Sequence, residues 1–212
     1  PGEDQVLINI KYMGICGTDG KIFDGGIPSN TPVIMGHEAV GEIISGNTNN
    51  GGVPGDFVII DPVLYCSNCF YCNRNETHLC ENGALMGRDV DGLFSEYVVV
   101  PASNVFLLGD KINLKMAPLI QVMTTVLHSQ NKANITSGEV VVVLGLGVTG
   151  LLQIQVAKAL GAKVVIGVSR NPFKRELAES MGADFAVDHG IEAKKKARDV
   201  TAGRGADVVI ES

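Results

Sequence analysis

The stretch Glu139 to Gly161, EVVVVLGLGVTGLLQIQVAKALG, decides the fold. Its near-continuous valine run predicts a strand buried on both faces, as in a parallel sheet covered by helices. Gly145, Gly147 and Gly150 come next in G-x-G-x-x-G spacing, directly after that strand and directly before a helical pattern. In that context the spacing marks a dinucleotide site. The first glycine makes the tight turn, the second lets the backbone approach a pyrophosphate, and the third lets helix and strand pack. The helix that opens at Val148 points its N-terminus, with its unpaired N–H groups, at the phosphates.

Strand and helix patterns alternate from there to the C-terminus: KVVIGVS, NPFKRELAESMG, DFAVDH, IEAKKKARDV, ADVVIES. This predicts an α/β unit of the doubly wound, Rossmann type. Such a fold has six parallel strands, and the chain reaches the fourth, so the expectation is a truncated module. An NAD site carries an acid at the end of the second strand, where this chain has Ser169 and Arg170. A carboxylate there repels a 2′-phosphate, whereas a hydroxyl and a guanidinium fork bind it, so NADP is expected in preference to NAD. The alternative is that Arg170 only caps a surface loop.

Upstream the texture differs. From Val6 to about Leu108, short β-type runs (VLINI, FVII, EYVVV) are separated by Gly, Pro and Asn turns, which predicts a β-rich module. The expected boundary divides the chain into 1–115 and 116–212. The β-rich part holds all five cysteines. Cys66, Cys69, Cys72 and Cys80 lie in C-x2-C-x2-C-x7-C spacing, and Cys16 stands apart. Four thiolates so close together wrap one tetrahedral zinc with a short loop and leave no open position, which makes that zinc structural. Two disulfides or an iron–sulfur cluster are the other readings of the same spacing. His78, inside the loop, reads as a loop residue.

Composition narrows the function classes. A net charge of −6, with no basic block beyond the KKKAR run at Lys194 to Arg198, argues against nucleic acid as the main partner. That run reads as a solvated helix face. No apolar run approaches the roughly 20 residues of a membrane span. No secretory leader follows Pro1, so a cytoplasmic location is expected, where clustered cysteines more often bind metal than form disulfides.

Taken in order, MGICGTD, MGHEAVGEI, the cysteine cluster and GLGVTG resemble the zinc-containing medium-chain dehydrogenases, a family of alcohol, polyol, sugar and threonine dehydrogenases. The resemblance runs from about Val6 to Ser212. It implies a β-rich GroES-like catalytic module followed by the Rossmann module, two zinc ions (one catalytic, one structural), and hydride transfer between a small alcohol, polyol or sugar and NADP. It also implies a catalytic zinc on Cys16 and His37 with Glu38 close by, Asp19 fixing the ring of His37, and Thr18 accepting the substrate hydroxyl's proton. A homo-oligomer, dimer or tetramer, is implied for the full-length protein.

Three positions depart from the family pattern. The third zinc ligand, a cysteine or glutamate in relatives, aligns with Gln121, which leaves Glu38 as the replacement. Lys21 stands where many relatives carry a relay histidine. The glycine turn after GHEAVG is displaced, at EIISGNTNN. Gln121 and Lys21 motivate the alternative of a non-catalytic nucleotide-binding protein that keeps only the structural zinc.

Overall fold

Alternation builds the first sheet. In β1 (Gln5–Gly14), Val6 and Ile8 are fully buried while their neighbours are not, the period of two of a strand with one face on a core. The computed structural model describes residues 1–212, which divide into two units, Pro1–Gln121 and Val122–Ser212. In the first unit β1 leads into a short helix, α1 (Gly17–Phe23), then β2 (Glu38–Ser45), β3 (Phe57–Ile60), β4 (Val63–Leu64), β5 (Ala84–Leu85), β6 (Tyr97–Pro101) and β7 (Val105–Leu107). Five of these strands form one sheet in the order β6-β1-β2-β3-β7, with every pairing antiparallel. Ile8, Ile43, Val58, Ile60, Leu93 and Val105 meet in its core. β4 and β5 form a separate two-stranded ribbon.

The pairing of β1 with β2 is not uniform. Its register shifts between Ile10 and Tyr12, so Lys11 is the extra residue of a β-bulge, and beyond it Gly14 pairs with Glu38. A bulge adds local twist and re-aims the chain beyond it. The re-aimed segment carries Cys16.

The boundary falls within the first turn of α2 (Leu119–Ala133), after which the second unit alternates: β8 (Val140–Leu144), α3 (Val148–Ala159), β9 (Val164–Val168), α4 (Pro172–Ser180), β10 (Phe185–Val187), α5 (Ile191–Asp199) and β11 (Val208–Glu211). The four strands are parallel, in the order β10-β9-β8-β11. Val141 and Val143 of β8 join Ile154 and Ala157 of α3 and Ala178 of α4 on one face. Val140 and Val142 join Ala197 of α5 on the other. Each fully buried valine contributes about 1.5–3 kcal/mol, so the valine run holds both layers to one central strand. A polar tie between α2 and α3 has no signature in the sequence: buried Gln130 donates to the backbone and side-chain oxygens of Gln153, both at 2.7 Å. No helix is long and apolar enough to cross a membrane.

Candidate metal centres and dinucleotide site

The lobe between β4 and β5 has few core residues. Phe70 is mostly and Leu79 about half exposed, and two single-turn helices at Cys72–Arg74 and Thr77–Leu79 carry the chain around. What these turns bring together is sulfur. Sγ of Cys80 lies 3.5 Å from that of Cys66 and 4.0 Å from that of Cys69, and Cys66 lies 4.0 Å from Cys72. A tetrahedron with Zn–S bonds of about 2.3 Å sets its sulfurs about 3.8 Å apart, so the spacing fits one zinc. No cysteine is bonded to another.

The thiols are also electrostatically divided. The backbone N–H of Asn68 leads the interactions that pull Cys66 down to about 6, while burial pushes Cys72 up to about 12. Four sulfurs this close cannot all ionise unaided. A divalent cation at their centre removes that conflict, which is the chemical case for a metal.

The second donor group is assembled by the bulged strand and the helix after it. Cys16 is the N-cap of α1, and its sulfur accepts the N–H of Thr18 at 3.4 Å. Asp19 returns the contact: its Oδ2 accepts the Cys16 N–H at 2.8 Å, closing a capping box. The other oxygen of Asp19, Oδ1, faces His37 Nδ1 at 3.3 Å. Asp19 is therefore both helix cap and ring anchor. His37 Nε2 points to the opposite side, 3.9 Å from Glu38 Oε1, and the donor atoms of Cys16, His37 and Glu38 all lie within 4.8 Å of one another.

Asp19 Oδ1 and His37 Nδ1 are buried without a hydrogen-bond partner. An Nδ1–H turned toward the carboxylate satisfies both and leaves the Nε2 lone pair for a cation, so the donor set fits a metal. Burial raises the pKa of Glu38, against the opposing pull of His37 and Cys16. A cation beside it would hold it ionised. Thr18 sits in the same turn, half-buried, and Lys21 lies exposed at the far end of α1. Gln121 is in the first turn of α2.

The placement of His37 depends on Gly36, the first glycine of MGHEAVGEI. Its φ is +94°, and a Cβ there would lie 2.2 Å from the ring of Phe94. The chain at Leu93 and Phe94 is in turn bonded to the carbonyls of Gly36 and Met35. Two backbones and one ring thus clamp the residue before His37.

In the second unit the glycine turn forms as its spacing predicts. Gly145 has φ +93° and donates to the carbonyl of Val168 at 3.0 Å, and Gly147 is the N-cap of α3. A Cβ on Gly150 would lie 2.0 Å from the carbonyl oxygen of Gly145, so turn and helix touch without a side chain between them. A Cβ on Gly147 would meet nothing within 4 Å, which leaves open space where a pyrophosphate approaches. Val148 opens α3 beside it and is half exposed.

Gly145, Gly147, Ser169 and Arg170 line one cavity of about 940 Å³. The same walls carry Lys174, Lys194, Arg198 and Arg204 and no carboxylate, a lining suited to an anion. The turn holding Ser169 is braced: Arg175 donates to the Ser169 carbonyl at 2.7 Å and lies 3.7 Å from Asp188. The nearby acid, Asp188, is held below the usual carboxylate range, first by its hydrogen bond with His189. Lys174, His189 and the α5 cations are lining residues that the sequence patterns do not mark. Two members of KKKAR, Lys194 and Arg198, stand on this wall, exposed to solvent as that run predicts.

The chain thus carries an antiparallel β unit bearing two zinc-compatible donor sets and a parallel α/β unit built around a glycine turn. Residues 2–110 match the alcohol dehydrogenase GroES-like domain, and residues 148–212 match the zinc-binding dehydrogenase domain. The chain belongs to the zinc-containing medium-chain dehydrogenase family.

Among relatives, it is similar to the L-threonine 3-dehydrogenase of Pyrococcus abyssi, 38% identical over 221 residues covering 100% of this chain and 62% of the relative. It is 35% identical to the sorbitol dehydrogenase of Halalkalibacterium halodurans, covering 100% of this chain and 63% of that one. A Sinorhizobium meliloti 1021 structure described as a zinc-binding dehydrogenase bound to NADP superposes with TM-score 0.89 and 34% identity, over 100% of this chain and 63% of that chain. The chain thus spans a little under two thirds of the proteins it matches.

Proposed function

We propose that the protein is a zinc-dependent oxidoreductase that moves a hydride between a small secondary alcohol, polyol or sugar and a nicotinamide dinucleotide, with NADP preferred to NAD. The observation that carries this reading is the convergence of Cys16, His37 and Glu38, with Asp19 behind the histidine. Zinc held there supplies a Lewis acid that lowers the pKa of a hydroxyl and fixes its position. The Asp19 carboxylate keeps the His37 proton on Nδ1 and so holds the ring's orientation. Thr18, two residues after Cys16 in the same turn, offers a hydroxyl that accepts the substrate's proton while passing its own on. Gly145 to Gly150 receive the pyrophosphate, and Ser169 with Arg170 receives the 2′-phosphate. The four-cysteine lobe takes a second zinc, a structural one. The full-length protein is proposed to form a homo-oligomer.

The two metal sets differ in charge. Four thiolates bind more tightly than one thiolate, one imidazole and one carboxylate, so mild chelation of the protein is expected to remove one zinc and all activity while the lobe keeps its metal. Metal analysis beside an alcohol and polyol panel reads this out. Full activity at one zinc per chain would sink the assignment of the catalytic metal. A chain that never takes more than one zinc and turns over nothing would favour the non-catalytic nucleotide-binding reading, which Gln121 and Lys21 motivate.

Cofactor choice has its own test. Ser169→Asp with Arg170→Ala introduces a repelling carboxylate and removes a guanidinium–phosphate bond worth about 1.5–3 kcal/mol. NADP affinity should fall about 10- to 100-fold, with NAD affinity held or improved. Equal binding of NAD and NADP by the unmodified protein would remove the basis for this preference.

A further inference from the structure

We infer that Gly14 is a positioning residue for the Cys16–His37–Glu38 centre, its missing side chain being the space in which the Glu38 carboxylate lies. The inference rests on the reading that Cys16 and His37 hold a metal. Gly14 ends β1 and is the cross-strand partner of Glu38, which begins β2. Partners across an antiparallel pair project to the same face about 5 Å apart. Here one of them has no side chain, and the other lies back over it. A Cβ on Gly14 would sit 2.2 Å from Glu38 Oε2, 3.1 Å from its Cβ and 3.3 Å from its Cδ. All three nearest atoms belong to Glu38.

Backbone freedom does not explain this glycine. Gly14 is not among the residues with positive φ, so alanine fits its backbone, and the only conflict is with the glutamate. The bulge supplies the partner: were Lys11 paired in register with Val40 instead of bulging out, Gly14 would stand opposite His37 rather than Glu38. Register, bulge and missing side chain together place the carboxylate 3.9 Å from His37 Nε2 and within donor range of Cys16. A methyl group at Gly14 turns the carboxylate out of that space while leaving Cys16, Asp19 and His37 in position.

The test is a thermodynamic cycle of cobalt and zinc affinity on the unmodified protein, Gly14→Ala, Glu38→Ala and the double variant, read by competition with a chromogenic chelator and by the cobalt absorption spectrum. Moving a group that supports metal ligands typically costs about 10- to 100-fold in affinity. Gly14→Ala is expected to weaken the labile site by that factor, to match Glu38→Ala in affinity and spectrum, and to add nothing in the double variant, because one carboxylate is lost in all three. If Gly14→Ala alone fails to fold and the double variant folds, the conflict with Glu38 is demonstrated directly.

The inference is overturned if Gly14→Ala binds cobalt like the unmodified protein, or if its loss adds in full to that of Glu38→Ala. A thermal midpoint of the metal-free protein that falls equally in Gly14→Ala and in the double variant would also overturn it. An unmodified protein that binds metal only at the four cysteines instead removes the reading beneath it.

Discussion

Replacing Cys69 by serine is expected to lower the zinc content by one per chain and to leave residues 66–80 open to protease. The reason is the poverty of the lobe. Of its residues from Cys66 to Cys80, only Cys72 is buried, so little apolar burial holds the loop, and the ordering entropy of some fifteen residues must be offset by something else. A four-thiolate zinc, worth on the order of 10 kcal/mol in small metal-folded domains, is large enough to do so. Cys16→Ser is the contrast. It should also cost one zinc, but because β1 and β2 are held by the core around Ile8 and Ile43, protease susceptibility of the lobe should not change. A metal count unaltered by Cys69→Ser would end the assignment.

Gly145→Ala should disable the dinucleotide site and loosen the parallel sheet around it. Two costs coincide at this residue. Its φ of +93° is strained for any residue with a side chain, and the added Cβ would lie 2.2 Å from the carbonyl oxygen of Ser212. The strained φ by itself forces the turn to move. Two hydrogen bonds to a charged pyrophosphate at about 1.5–3 kcal/mol each correspond to a loss of about 100-fold or more in dinucleotide affinity.

Gly147→Ala separates the two effects. Its Cβ meets nothing within 4 Å in the free protein, so thermal stability without cofactor should stay near that of the unmodified protein while dinucleotide affinity falls. Calorimetric titration with NADP, beside thermal melts without it, distinguishes the pair. If Gly145→Ala binds NADP as well as the unmodified protein does, the glycine turn is not the phosphate site.

Much of this is legible in the chain because it is local. The four cysteines lie within fifteen residues, the glycine motif within six, and the runs VVVVL and VVIGV carry their own burial pattern. The parallel α/β unit, the β-rich unit before it and the tetrahedral sulfur group all rest on such short-range signals. Ser169 and Arg170 are found the same way, by counting from the glycines to the end of the next strand.

The tertiary structure alone decided what depends on register and on side-chain direction. Cys16 and His37 are twenty-one positions apart, and their meeting depends on the antiparallel pairing of β1 with β2 and on a bulge at Lys11 that no motif announces. That Asp19 turns one oxygen to His37 was legible only through the family resemblance, whereas the closing of Phe94 over Gly36 and the room that Gly14 makes for Glu38 are contacts between residues whose sequence distance carries no information about their approach. Sequence patterns report which face of an element is buried, with a period of two or 3.6. Which residue lies opposite another is set when strands pair, and there a single extra residue changes every partner beyond it.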